Sequence, residues 1–128
     1  VRVIKFRQLV NGRWHYFGYI DNAFIGPIEI ENQTTGQFTG LLDKEGREIF
    51  ESDIIKYSYS TDYDKYKQRK DPRKYVIGFI KWKNTIPGFT LMISRGPNKV
   101  VNWNEALERS SLLEIIGNIY ENPELLKA

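Results

Sequence analysis

The chain contains no cysteine, a single histidine and a single methionine among its 128 residues. Without cysteine there is no disulfide framework and no thiolate metal site, so stability must come from a packed core. No apolar run approaches the ~20 residues that a membrane-spanning helix requires, and no membrane association is expected. A phosphate-binding glycine loop ahead of a helix is also missing: Asn98-Lys99 follows Gly96-Pro97, but nothing around them has that form. What the chain does have is 41% hydrophobic and 14% aromatic residues, with ten glycines and five prolines. That is too apolar for disorder. It fits a single domain, residues 1–128, because a chain of this length buries roughly two thirds of its unfolded surface.

The start of the chain, Val1-Arg2-Val3-Ile4-Lys5-Phe6-Arg7, threads basic residues through apolar ones, unlike the unbroken apolar stretch of a signal peptide. The first residue is Val1 rather than Met, which leaves room for native residues before it. Asn32-Gln33-Thr34 fits the glycosylation sequon, yet without a secretion signal it reads as an ordinary polar loop.

Alternating apolar and polar residues dominate the pattern. Ile4 and Phe6 alternate with Lys5 and Arg7, Asn11-Gly12 supplies a tight turn, and residues 13–19 return, which predicts a β-hairpin. A short strand is expected at Ile28-Glu29-Ile30, after the Gly26-Pro27 break. A turn at Asp43–Arg47 with Gly46 left-handed, a bend at Glu51-Ser52-Asp53 and a strand over residues 54–59 follow. Residues 75–82 are apolar on both faces, as in a strand covered on both sides. Phe89, Leu91 and Ile93 alternate cleanly after a Pro87-Gly88 turn. Asn102 and Glu105 form a capping-box pattern, with Trp103, Ala106, Leu107 and Ser110 on one face of a short helix. Residues 112–120 read as a last strand in which Gly117 marks a bulge or a close approach. Asn122-Pro123 then opens a helical turn running to Lys127. The expected fold is mainly β: a small, strongly bent, SH3-like barrel over residues 41–121, an N-terminal hairpin and second sheet over 1–40, and short C-terminal helices.

Three segments together resemble a known family. Residues 38–55, Phe-Thr-Gly-Leu-Leu-Asp-Lys-Glu-Gly-Arg-Glu-Ile-Phe-Glu-Ser-Asp-Ile-Ile, are similar to the central signature of the YopX-like proteins of phages and prophages. Ile4-Lys5-Phe6-Arg7 is similar to their opening, and residues 113–125 to their ending. Ser52 departs from the pattern, since the family usually has Gly there, where a positive φ would suit it. The resemblance implies a β-barrel-containing protein encoded in a phage genome and acting in the bacterial cytoplasm. It implies no catalytic residues, because the family has no established activity.

The net charge of +3 is unevenly spread. Residues 56–83 hold nine Lys and Arg against three Asp, a local +6, while the remainder carries −3. Within this stretch Tyr57, Tyr59, Tyr63, Tyr66 and Tyr75 interleave with Lys65, Lys67, Arg69, Lys70, Arg73 and Lys74. Cations for phosphates and rings for bases are what single-stranded nucleic acid is held by. The same composition also suits a solvated excursion between two strands, with three Asp diluting the charge. Tyr75, Ile77, Phe79 and Trp82 form a second candidate, a surface on which two copies associate; burial inside one domain is the competing reading.

Catalytic signals are weak. Glu51/Asp53 and Asp62/Asp64 are close carboxylate pairs that could hold a metal or serve as acid and base, as in a small metal-dependent hydrolase. Turn formation explains both pairs equally well. His15 sits among aromatics in a predicted strand with no ligand partner nearby. The expectation is a non-enzymatic module without metal or cofactor. It would bind a host or phage protein and self-associate, with nucleic-acid binding as the alternative.

Overall fold

The computed structural model describes residues 4–59, 63–64, 69–70, 74–83, 88–95 and 113–127. The first sheet joins β1 (Lys5–Val10), β2 (Arg13–Ile20), β3 (Ala23–Ile25), β4 (Gly36–Leu42) and β5 (Glu48–Phe50), in the order β3-β2-β1-β4-β5. The second joins β6 (Asp53–Tyr59), β9 (Lys74–Lys83), β10 (Gly88–Arg95) and β11 (Leu113–Asn118), in the order β10-β9-β6-β11. A two-residue ladder pairs β7 (Tyr63–Asp64) with β8 (Arg69–Lys70). All pairings are antiparallel. Mainly β is therefore correct, but the described strands form open sheets, with no closed barrel among them. Residues 41–50, expected in the barrel, extend the N-terminal sheet instead, because Gly36 and Gln37 pair with Arg7 and Phe6.

Asn11 and Gly12 both have positive φ, 51° and 76°, and close the β1–β2 hairpin as expected, with Val10 opposite Arg13. A second tight hairpin follows at Asp21 and Asn22, φ 51° and 65°, with Ile20 opposite Ala23. The strand expected at Ile28–Ile30 does not form. The buried Gln8 takes the place of a strand partner: its Oε1 accepts from Ile28 N and Glu29 N, both at 2.9 Å, and its Nε2 donates to Glu29 O at 2.9 Å. One carboxamide satisfies backbone groups that would otherwise seek a ladder. The sequon Asn32 makes an Asx turn with Thr34 and donates Nδ2 to Leu9 O, consistent with the polar-loop reading.

The core lies between the sheets. Leu41 and Ile49 of the first pack on Ile55, Tyr57, Val76, Ile80, Leu91 and Leu113 of the second, with Phe89 and Ile93 at its margin. Ile54 and Ile77, on the opposite pleat, are buried as well, so the start of β6 and the middle of β9 are covered on both faces, while Tyr75 and Trp82 towards the ends of β9 are exposed. Gly78 permits the close approach of β10, since a Cβ there would collide with the Met92 carbonyl oxygen. Gly117 fulfils both expectations at once: the β6–β11 register shifts beside it, and a Cβ would meet the Asn122 side chain.

The C-terminal helical turn is a 3-10 turn at Pro123–Leu126 rather than a helix. Asn122 does not cap it, because its Oδ1 is turned back to accept from Asn118 N at 3.2 Å. The short helix expected around Asn102 lies outside the described residues.

Ser52 has φ 77° and stitches the elements together: its N–H donates to Ile80 O and its carbonyl accepts from Ile119 N. A left-handed non-glycine residue costs about 1–2 kcal/mol. Ser52→Gly relieves that cost but loses the hydroxyl contact to Arg7 and adds unfolded-chain entropy. The expected net effect is a gain of about 0.5–1 kcal/mol in urea unfolding, and a loss of stability would refute the strain.

Candidate functional site

Two carboxylates of residues 38–55, Asp43 and Asp53, are engaged in hydrogen bonds and ion pairs within the fold. Asp43 stands at the β4–β5 turn. Its Oδ1 accepts from Glu45 N and Arg47 N at 2.9 Å each, and its Oδ2 accepts from Arg47 Nε and Ile115 N at 3.1 Å each. Burial works against its charge, but the backbone N–H groups of Arg47, Ile115 and Glu45 and the Arg47 cation hold its pKa below the usual carboxylate value. The turn is thereby tied to β11, on the other sheet.

Asp53 is buried and pairs with the equally buried Arg7 of β1 at 2.6 Å. Its Oδ2 accepts from Phe50 N at 2.8 Å. Burial pushes the Asp53 carboxyl up from its ordinary value, with Arg7 and the Phe50 N–H pulling the other way. The guanidinium lies between two rings, 4.0 Å from the Trp14 centroid and 4.8 Å from that of Phe50. Its Nε is buried with no hydrogen-bond partner. Glu51, the other member of the expected pair, accepts from Gln37 N at 3.0 Å.

A cleft of about 420 Å³ opens beside these residues, lined by Arg7, Tyr16, Arg47, Glu48, Phe50 and Asp53 among others. Each of its four charged residues is already in an ion pair: Arg7 with Asp53, Arg47 with Asp43, Glu48 with Lys5. Among the described residues no cluster of three or more His, Asp or Glu could hold a metal. His15 accepts from or donates to no such group; its Nε2 is 3.1 Å from Gly26 O and its ring stacks on Phe17.

Of the basic, tyrosine-rich residues, Tyr59 ends β6, Lys74 begins β9, and Tyr63, Arg69 and Lys70 lie in the β7–β8 ladder. Lys65, Tyr66, Lys67 and Arg73 lie outside the described residues, as does Asp62. The one described cation–ring contact of this region joins Lys56 Nζ to Tyr75, 4.6 Å from the ring centroid. The residues proposed for self-association do not share a surface. Tyr75, Ile77 and Phe79 take one face of β9 and Trp82 the other, in edge contact with Phe89. Ile77 is buried, whereas Tyr75 and Trp82 are exposed.

A further group of exposed apolar side chains among the described residues lies elsewhere and was missed. Tyr19 is 59% exposed, Phe24 70%, Ile28 60% and Ile30 93%, and Ile25 is exposed beside them. Tyr19 and Phe24 sit opposite each other across β2–β3 with rings 6.1 Å apart. The signal was present in Phe24-Ile25, which the sequence reading left unassigned, and in Ile28-Glu29-Ile30, expected as a strand but held instead by the Gln8 carboxamide.

Among the described residues the chain is a two-sheet β protein in which Asp43 and Asp53 bond to backbone N–H groups and arginines, and in which apolar side chains on and after β3 are exposed. It belongs to the YopX protein family, whose sequence profile matches residues 6–127, nearly the whole chain. No curated protein matches the chain.

Proposed function

We propose that the protein is a non-enzymatic binding module of phage or prophage origin that engages a protein partner in the bacterial cytoplasm. The carrying observation is that Tyr19, Phe24, Ile25, Ile28 and Ile30, all between positions 19 and 30, are exposed, as apolar residues at an interaction site would be. The commitment of Asp43, Glu51 and Asp53 to backbone and arginine contacts supports the same reading, since it leaves them poorly placed as acid, base or ligand. Self-association and a barrel closed by further residues belong to this reading as proposals.

The test is covalent crosslinking in host cells, followed by measurement with the purified partner and the full chain. A stoichiometric protein complex is the expected result. Nucleic-acid binding is the second reading, favoured by Lys56 against the exposed Tyr75 and by the exposed Lys81-Trp82 pair. If about six cations met phosphates, log affinity would fall with log salt at a slope of roughly −4 to −5. Such a slope without any protein complex would overturn the first reading in favour of the second.

A further inference from the structure

The cleft beside Arg7 and Asp53 has a buried donor that nothing in the fold uses. Arg7 is 6% exposed, and its three side-chain hydrogen bonds all leave from Nη2, to Glu51 O at 3.4 Å, Ser52 Oγ at 3.3 Å and Asp53 Oδ1 at 2.6 Å. The rings of Trp14 and Phe50 cover the guanidinium. Its Nε is the only buried side-chain nitrogen or oxygen among the described residues without a partner. Buried polar groups nearly always have one, so the exception asks for an acceptor. Arg7 lines the cleft, whose volume of about 420 Å³ falls in the range of small-molecule sites.

Charge and shape select what carries that acceptor. The charged lining is Arg7 and Arg47 against Glu48 and Asp53, and each is already paired, Arg47 with Asp43 and Glu48 with Lys5. An anion at Nε would find no free cation and would lie beside the Asp53 carboxylate, which holds the same guanidinium. A cation would face Arg7 and leave Nε without an acceptor. An uncharged ligand avoids both penalties. Tyr16, which is exposed, and Phe50 form an aromatic wall with ring centroids 5.6 Å apart, and Ile115 adds apolar contact. We infer that the cleft binds a small uncharged molecule made of a flat ring bearing a carbonyl group. The carbonyl oxygen accepts from Arg7 Nε, and the ring packs against Tyr16 and Phe50. The site shares no residue with the exposed set at positions 19–30, so it and the protein-binding reading stand or fall separately.

The test uses the full chain at neutral pH and three probes built on one ring: benzamide, uncharged with a carbonyl; benzoate, its anionic counterpart; and toluene, with neither acceptor nor charge. NMR titration to about 5 mM covers the affinity that so small a ligand can reach. Benzamide is expected to bind about tenfold more tightly than either of the others, the worth of one hydrogen bond from a charged donor. It should also move the Arg7 Nε–H resonance, which toluene should leave in place. Arg7→Lys keeps a cation for Asp53 but lacks Nε, so its affinity for benzamide should fall to that for toluene. The Nε–H measurement is made on the wild type and decides the matter even where that variant does not fold. Tighter binding of benzoate would overturn the assignment in favour of an anion site, and equal binding of benzamide and toluene in favour of a plain apolar cleft. No binding of benzamide, or binding that leaves the Arg7 Nε–H resonance unmoved, would overturn it outright.

Discussion

Arg7→Met should destabilise the protein by about 3–5 kcal/mol at neutral pH, because it leaves Asp53 charged and buried beside apolar rings. The loss should depend on pH in a defined direction. Burial already raises the Asp53 pKa in the folded protein, and Arg7 opposes that rise. A carboxyl raised on folding binds its proton more readily in the native state. Its contribution is therefore most favourable below the unfolded value of 3.8 and declines as pH climbs through the folded value. Removing Arg7 raises the folded value further and enlarges the decline. Urea unfolding at about pH 4 and about pH 8 should show a much smaller penalty at the acid end. Adding Asp53→Asn should recover most of the stability, since the amide oxygen still accepts from Phe50 N. A penalty that is the same at both pH values would refute the buried-charge account.

Asp43→Asn is expected to cost about 2–4 kcal/mol. The amide keeps the acceptor for Glu45 N and Arg47 N but turns an NH2 group toward Ile115 N and the Arg47 guanidinium. Here the pH sign is opposite. The folded pKa of Asp43 lies below the unfolded value of 3.8, so its contribution is complete above that value and is lost as pH falls through the folded one. Acid unfolding of the variant should lack that portion of the wild-type loss below about pH 4. If Asp43→Asn unfolds in acid with the wild-type profile at wild-type stability, the turn is held by something else.

Both predictions concern residues whose side chains were legible in the sequence while their partners were not. Alternation placed Arg7 within a strand but could not tell that it points inward, because a lone Arg in an alternating run is ordinarily the solvent side. Its partner lies 46 positions away, beyond any local pattern. Local chemistry fared better. Asn11-Gly12, the Phe89–Ile93 alternation and the bulge at Gly117 were readable because each is fixed by φ, pleat or steric space within a few residues. Asp21-Asn22 carries the same left-handed preference and was overlooked, and with it the edge strand it creates. The strand expected at Ile28–Ile30 failed for a tertiary reason, since Gln8 outcompeted a ladder for those backbone groups. The departure at Ser52 was read correctly as a question of φ, and the residue adopts the glycine-like conformation.

Gln8 has a wider consequence. Much of the attachment of residues 26–35 runs through side chains, with Gln8 gripping Ile28 and Glu29, Asn32 reaching Leu9 O, and Thr34 accepting from Leu9 N. A segment fastened by side chains imposes no register on the sheet beneath it. Substitutions at Ile28 and Glu29 are therefore expected to leave the Gln8 grip intact, because it holds their backbone, whereas Asn32 and Thr34 hold through their own side chains.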